Sequence, residues 1–171
     1  MRNLCGGWAS RLGNVPDLDG LDTRIVLLFS REPRIGVLEA SRRLGVARGT
    51  VQARLDRLER AGAITSWAPQ VDPAAIGFPV AAFATLEIAQ AAGHGPVAEH
   101  LRTIPEVLEA HTITGGADMM VRLVARSNTD LQRVIDQVVA APSVRRASTV
   151  IALTTEIAPR VTPLVQSLSA T

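Results

Sequence analysis

Apolar residues recur with the period of an α-helix in three short blocks near the N-terminal end of the chain. Asp19 or Asp22 is placed to cap the first helix. Only about three residues, which include Gly45, separate the second block from the third, and so short a connection is typical of a helix-turn-helix. A helix-turn-helix commonly binds DNA, but a three-helix bundle that does not bind DNA gives the same apolar pattern. The apolar positions that share a face are Leu21, Ile25 and Leu28; Val37, Ala40 and Leu44; and Val51, Leu55 and Leu58.

The second half of the chain alternates between the two-residue period of strands and the longer period of helices. The order of these elements is βαββαβ, which is the ferredoxin-like arrangement. Right-handed crossovers place both helices on one face of the four-stranded sheet. The pattern predicts strands over residues 78–88, 107–114, 119–125 and 144–157, and helices that begin near Pro96 and Asn128.

The helix-free face of this predicted sheet carries Met120, Val124 and similar residues. Soluble proteins rarely leave an apolar patch of this kind open to water. We therefore expect a second copy of the chain to cover it in a two-fold dimer. Such a dimer would also present two recognition helices to two DNA half-sites.

The fold class that follows is α+β, with an N-terminal three-helix helix-turn-helix domain and a C-terminal ferredoxin-like βαββαβ domain. The N-terminal segment has glycines and a proline but no sustained period, so we predict a flexible tail there. The predicted boundaries are 1–17 for the tail, 18–62 for the helix-turn-helix domain, 63–77 for an extended linker, and 78–171 for the ferredoxin-like domain.

Composition narrows the protein class. Of 171 residues, 47% are hydrophobic and 20% charged, as in soluble globular proteins. The longest nearly apolar stretch, 78–86, is about half the ~20 residues that a membrane helix needs, and no apolar segment follows Arg2 as in a secretory signal. Cys5 is the single cysteine, so no internal disulfide forms. We expect a cytoplasmic protein with no membrane partner.

Positive charge is concentrated in the first part of the chain. Residues 1–70 carry 11 Arg and 7 acidic residues, whereas residues 71–171 carry 7 Arg and 9 acidic residues. A basic segment joined to a slightly acidic one favours a polyanion-binding module attached to a second domain. A solvated helix face in an Arg-rich protein is the alternative interpretation.

The outer surface of the third helix carries the candidate DNA contacts. With a turn of about 100° per residue from the buried Val51, Thr50, Ala53 and Arg57 point away from the core and Arg54 flanks it. Thr and Gln hydrogen-bond base edges, Arg pairs with guanine or phosphate, and a small residue permits close approach. The predicted DNA-binding residues are Arg42, Arg43, Arg48, Thr50, Gln52, Ala53, Arg54 and Arg57.

Several short motifs, taken in order, resemble the Lrp/AsnC (feast/famine) family of bacterial and archaeal transcription regulators over residues 18–165. In the N-terminal half they are residues 21–25, 45–46, 51–59, 62–64 and 71–77. In the C-terminal half they are Pro105-Glu106-Val107, Ile113-Thr114-Gly115-Gly116-Ala117-Asp118 and residues 143–151.

The resemblance implies a ferredoxin-like domain that senses a small effector, commonly a free amino acid, bound between subunits. It implies that dimers assemble further, toward tetramers or octamers, and that the connector 63–71 pairs with its equivalent in the partner. It also supports Arg54 and Arg57 as recognition-helix positions. The implied effector-binding residues are Thr114, Gly115, Gly116, Ala117 and Asp118.

The chain departs from the family pattern at two places that affect function. Ala47 stands where the family usually has a Ser as N-cap of the recognition helix, a loss typically worth ~1 kcal/mol. Gly116 and Ala117 stand where a polar or acidic residue and an aromatic are common, which leaves two alternatives, a different effector or none. Asp118 either receives an α-amino group or caps the turn after Gly116.

Two other functions compete with a sequence-specific regulator. Sirohaem decarboxylases resemble the same architecture, but the spacing of His94, His100 and His111 is not that of a metal site. A nucleoid-type architectural protein would bind DNA with little sequence preference and no effector. We predict a sequence-specific DNA-binding regulator that responds to a small effector, with no catalytic residues, metal site or cofactor.

Overall fold

The computed structural model describes residues 17–89 and 93–168. Nearly all of the predicted tail lies outside these residues. The chain divides into two compact units. The first contains residues up to Pro69 together with those from Ile157 onward, and the second spans Gln70–Glu156.

The first unit contains α1 (Gly20–Arg31), α2 (Val37–Leu44) and α3 (Arg48–Arg60). The three predicted apolar faces pack together, which confirms the helical periodicity. Leu21, Leu28 and Val37 are partly buried at the edge of this core. The buried core residues are Ile25, Phe29, Ala40, Leu44, Val51, Leu55 and Leu58.

The turn between α2 and α3 depends on Gly45, which has a left-handed backbone with φ of 69°. Its amide and that of Val46 bond back to carbonyls at the end of α2, so the helix ends and the chain turns within three residues. Ala47 follows as the N-cap of α3 and, as predicted from its side chain, provides no capping hydrogen bond.

The second unit contains β1 (Val80–Ile88), α4 (Gly95–Arg102), β2 (Val107–Thr112), β3 (Met119–Ala125), α5 (Asn128–Val139) and β4 (Val144–Ala152). The strands form one antiparallel sheet in the order β2-β3-β1-β4. One face packs against α4 and α5, with alternate residues of β1 and β3 buried as predicted. The βαββαβ order is therefore confirmed.

The opposite sheet face, which we call the open face, is only partly apolar. Phe83 on β1 lies between Arg122 on β3 and Val150 on β4. Phe83, Met120 and Val150 are 38%, 37% and 63% exposed. Val124 follows the same alternation but is 5% exposed, and its amide donates to the Glu106 carbonyl at 3.0 Å. The expectation of a bare face is therefore wrong at Val124.

β4 ends at Ala152, five residues before the predicted end. Ala152 pairs with Ala81 near the start of β1, which is its neighbour in the sheet. Beyond this point β4 has no partner strand, so alternation in the sequence cannot continue it. The chain instead forms α6 (Thr162–Ser167), which packs against α1.

This C-terminal helix was not predicted. It gives the first unit residues from the far end of the chain, whereas the predicted ferredoxin-like domain extends over all of 78–171. Val165 of α6 is 8% exposed, while its neighbour Leu164 is 67% exposed. The helix therefore has a buried side and a solvent side.

The predicted linker, residues 63–77, forms no strand in this chain and contains a single 3₁₀ turn at Ala74–Ile76. Trp67 anchors its first part. The indole ring packs edge-on against Phe29 with 5.5 Å between ring centroids, and its N–H donates to Glu59 at 2.6 Å. Pairing of 63–71 with a partner chain stays a prediction.

Candidate nucleic-acid interface and effector loop

The first turns of α3 present four of the predicted DNA contacts to solvent. Arg48, Thr50, Gln52 and Ala53 are all exposed. The Gln52 amide donates to the Asp56 carboxylate at 2.8 Å one turn later. An exposed hydrogen bond of this kind exchanges readily with other partners, so the amide is available to a base edge.

Arg54 and Arg57, unlike these four, form ion pairs with carboxylates at the start of α1. Arg54 Nη1 lies 3.1 Å from both oxygens of Asp22 and also pairs with Asp19. Arg57 Nη2 pairs with Asp22. Asp22 is fully buried, and the two arginine side chains are 30% and 43% exposed. Both guanidinium groups are thus bound to α1, and their predicted contact with DNA stays a prediction.

The start of α1 holds the two carboxylates in place. Asp19 is the N-cap, and its Oδ1 accepts from the amides of Leu21 and Asp22 at 2.9 Å each. Asp22 in turn accepts from the Asp19 amide at 3.1 Å, which completes a capping box. The hydrogen bond from the Asp22 amide and the neighbouring Arg54 lower the pKa of Asp19 to about 2.

One donor in this cluster has no partner. Among the described residues, Arg57 Nε is buried without a hydrogen bond. Leaving a buried donor unsatisfied costs about 1–3 kcal/mol. The same guanidinium bonds to Asp22 through Nη2, so the ion pair is made despite this cost.

The two predicted contacts on α2 also have acidic partners. Arg42 and Arg43 lie 3.7 Å and 3.1 Å from the Glu39 carboxylate, and Arg43 lies 2.5 Å from Glu32. All four side chains are at least 45% exposed. Exposed pairs are worth about 0–1 kcal/mol, so these arginines can exchange carboxylate for phosphate at little cost.

The predicted effector loop is the hairpin connection between β2 and β3. Thr114, Gly115 and Gly116 at its tip are exposed, and Gly115 has a φ of 121°, which favours glycine. Ala117 and Asp118 are partly buried at its end. The loop is thus an accessible backbone turn with one carboxylate beside it.

Asp118 binds the neighbouring strand. Its Oδ2 accepts from the Ile88 amide at 2.7 Å, and its own amide donates to the Leu86 carbonyl at 2.9 Å. The carboxylate therefore closes the end of β1, a role outside the two alternatives that the sequence leaves open. Its second oxygen has no hydrogen bond within the described residues and is free to receive a ligand.

A cavity of about 380 Å³ lies between α4 and β2. Thr112 and Met119, which flank the effector loop, both line it. Its other lining residues are mainly apolar, and His94, Arg102 and Glu109 are the ionisable ones among them. Its volume is within the range of small-molecule sites.

Comparison with known proteins identifies both halves of the chain. A model of the AsnC-type helix-turn-helix domain matches residues 18–59, and a model of the Lrp/AsnC ligand binding domain matches residues 81–161. The chain belongs to the Lrp/AsnC family. It is thus a DNA-binding transcriptional regulator of that family, as the resemblance in the sequence implied.

Members of the Lrp/AsnC family match over most of their length. The regulator FL11 of Pyrococcus horikoshii is 28% identical over 81% of this chain and 91% of its own. The structure of Escherichia coli AsnC has a TM-score of 0.79 and 26% identity, and it covers 86% of this chain and 100% of AsnC. A feast or famine regulatory protein from M. tuberculosis, complexed with L-methionine, has a TM-score of 0.76 and 23% identity over 84% of this chain and 97% of its own.

Asp19 and Asp22 of this Lrp/AsnC protein have an ionic role beyond the helix capping predicted for them. The signal was available, because Asp22 lies three residues before Ile25 and seven before Phe29, on the face that becomes buried. A charged residue on a buried helix face is almost always paired.

In the described parts of the chain, no cluster of three or more His, Cys, Asp or Glu forms a metal site, and no helix is long and apolar enough to cross a bilayer.

Proposed function

We propose that this protein is a sequence-specific regulator that binds DNA as a dimer and responds to an amino-acid effector. The observation that carries the proposal is the exposed first half of α3, held at a short Gly45 turn and bearing polar side chains that can hydrogen-bond bases. Because the target is chromosomal DNA, we place its action in the cytoplasm.

Base contacts fall to Thr50, Gln52 and Ala53 in this proposal. Arg48 stands at the start of α3, where it suits a phosphate. Arg42 and Arg43 contact the backbone after they exchange carboxylate partners. Arg54 and Arg57 remain on the α1 side of the helix, as their ion pairs with Asp22 indicate.

The effector site that we propose is the loop Thr114–Asp118 with the adjoining α4–β2 cavity. The free oxygen of Asp118 suits an α-ammonium group, the backbone amides at Gly115 and Gly116 suit a carboxylate, and the cavity suits an apolar side chain. The bound L-methionine of the M. tuberculosis relative supports an amino acid as the ligand class.

The dimer that we propose forms through the open face of the sheet. Phe83, Met120 and Val150 supply its apolar part. The ion pair between Arg122 and Glu109 at 2.8 Å lies beside them and provides a polar rim. Two-fold symmetry places each of these residues opposite the same patch of the partner.

Fluorescence anisotropy tests DNA recognition. The purified protein is titrated into the DNA upstream of its own gene and into scrambled DNA of equal length, over a range of salt concentrations. We expect tighter binding to the upstream duplex that survives competition by scrambled DNA. Equal and steeply salt-dependent binding to both would indicate an architectural protein, and the absence of binding to either would contradict the assignment of this operator.

Effector recognition is tested with the variant Asp118→Asn, which keeps an oxygen for the Ile88 amide but removes the charge. The twenty L-amino acids, beginning with L-methionine, are screened for a change in DNA affinity. We expect the variant to bind DNA like the wild type and to lose the response. N-acetyl-L-methionine is the matched ligand control, since it lacks the ammonium group. Superimposable effector titrations of variant and wild type would contradict the role of Asp118.

A further inference from the structure

Asp22 is the most deeply buried acidic residue of the DNA-binding unit that the structure describes, with 0% exposure. A buried carboxylate requires charged or hydrogen-bonding partners, since desolvation otherwise disfavours its ionised form. Its partners here are the guanidinium groups of Arg54 and Arg57 and the amide of Asp19. Both arginines come from the recognition helix α3, so residues of α3 neutralise the buried carboxylate of α1.

The geometry limits how α3 can turn about its own axis. Its apolar stripe, formed by Val51, Leu55 and Leu58, holds the helix against the core by contacts that have no directional preference. Arg54 and Arg57 are three residues apart on the same side of this stripe, with Arg54 beside it and Arg57 farther round the helix, at roughly 300° and 240° from Val51. Because charge-assisted hydrogen bonds are directional, two of them to one fixed carboxylate define the rotation of the helix.

We propose that Asp22 is a positioning residue, which sets the rotation of α3 through Arg54 and Arg57 and thereby aims Thr50 and Gln52 at the bases. The two arginines then act on DNA affinity through the protein and do not contact DNA themselves. This inference rests on the DNA-binding function. It changes the assignment of the two arginines from direct contacts to intramolecular supports.

A double-mutant cycle between Asp22 and Arg57 tests the inference. The variants are Asp22→Asn, Arg57→Gln and their combination in the full-length protein. The probe is the duplex that wild-type protein enriches most from a random-sequence DNA library, with a scrambled duplex of equal length as the reference. Far-UV circular dichroism and thermal unfolding establish that each variant is folded.

We expect each single substitution to weaken binding to the selected duplex by roughly 2- to 30-fold, the range for residues that act through a coupled network. The combined variant should bind the selected duplex no more weakly than Asp22→Asn alone, because the ion pair between Asp22 and Arg57 is already absent in that background. Binding of Arg57→Gln to the scrambled duplex should stay near the wild-type value. A general loss of folded structure would instead lower both affinities.

The salt dependence separates support from direct contact. Loss of one phosphate contact makes the slope of log affinity against log salt shallower by about 0.9. We expect no change in slope for Arg57→Gln or Arg54→Gln. The control is Arg48→Gln, an exposed arginine at the start of the same helix, for which we expect the full change and an additive loss with Asp22→Asn.

Three results would overturn the inference. They are wild-type binding by Asp22→Asn, a shallower slope for Arg57→Gln, or a further loss from Arg57→Gln in the Asp22→Asn background. If Asp22→Asn does not fold, the slopes of Arg54→Gln and Arg57→Gln decide the question. If the wild type enriches no duplex, sequence specificity is refuted, and the same slopes measured on random-sequence DNA still decide whether the arginines contact phosphate.

Discussion

The substitution Val150→Arg tests the proposed dimer at the open face of the sheet. Val150 lies on β4 opposite Phe83 and is 63% exposed in the single chain. An arginine at such a position keeps its guanidinium in water, so the fold of the isolated chain should tolerate it. In a face-to-face dimer the same guanidinium would be brought against the apolar surface of the partner.

The size of the effect follows from the exposed area. Full burial of an exposed Val side chain is worth about 1.5–3 kcal/mol, so the 63% that is still exposed can contribute roughly 1–2 kcal/mol to an interface. Two-fold symmetry uses the position twice, which gives roughly 2–4 kcal/mol per dimer. The dissociation constant should therefore rise by roughly 30- to 1,000-fold. Desolvation of two guanidinium groups adds to this loss.

Sedimentation velocity over a wide range of protein concentration measures the dissociation constant. The matched control is Val139→Arg, on the helix side of the sheet, where the side chain is 40% exposed. We expect the control to dimerise like the wild type. The reasoning is refuted if Val150→Arg dimerises with wild-type affinity, or if both variants dissociate equally.

Three further substitutions and one matched control probe the free energy of unfolding, measured with urea. Val165→Ala should lower the free energy of unfolding by about 1.5 kcal/mol because two buried methyl groups are lost from α6, whereas its exposed neighbour Leu164→Ala should change it by less than about 0.5 kcal/mol; equal effects would contradict the packing of α6. Ala47→Ser should raise the free energy of unfolding by ~1 kcal/mol by capping α3. An unchanged free energy would mean that water already satisfies the amides at the helix start. The pKa of Asp19 falls from 3.8 to about 2 on folding. The ionised carboxylate therefore stabilises the folded state fully when the pH is above 3.8, and this contribution is lost as the pH drops toward 2. The stability difference between wild type and Asp19→Asn should shrink over that range, and a constant difference would contradict the lowered pKa of Asp19 in the folded state.

The parts of the fold that follow from local periodicity could be predicted from the sequence. Each stripe of α1 to α3 and the alternation in β1 and β3 are repeated several times within one element, so one exceptional residue does not obscure the pattern. Gly45 could be interpreted correctly because a tight helix-to-helix turn favours a residue that tolerates positive φ. The order of elements then restricted the topology of the second unit to the ferredoxin-like one.

Features that depend on distant residues could not be predicted in this way. The end of β4 is determined by where β1 begins to pair with it, at Ala81 opposite Ala152. The position of α6 depends on α1, which lies at the other end of the chain. The Asp22 ion pairs join residues that are 32 and 35 positions apart. No local period encodes such contacts.

The same contacts reduce the amount of unpaired positive charge in the DNA-binding unit. Residues 1–70 have an excess of four arginines over acidic residues, which at sequence level favours a polyanion-binding surface. In the folded unit Arg54 and Arg57 neutralise buried or capping carboxylates, and Arg42 and Arg43 share exposed ones. Among the predicted arginines that the structure describes, Arg48 alone lacks an ion pair. The arginine count therefore overstates the unpaired positive charge that the unit presents to phosphate, and on the positioning role proposed for Asp22 the affinity for DNA depends more on the rotation of α3 and the fit of its exposed side chains to the bases.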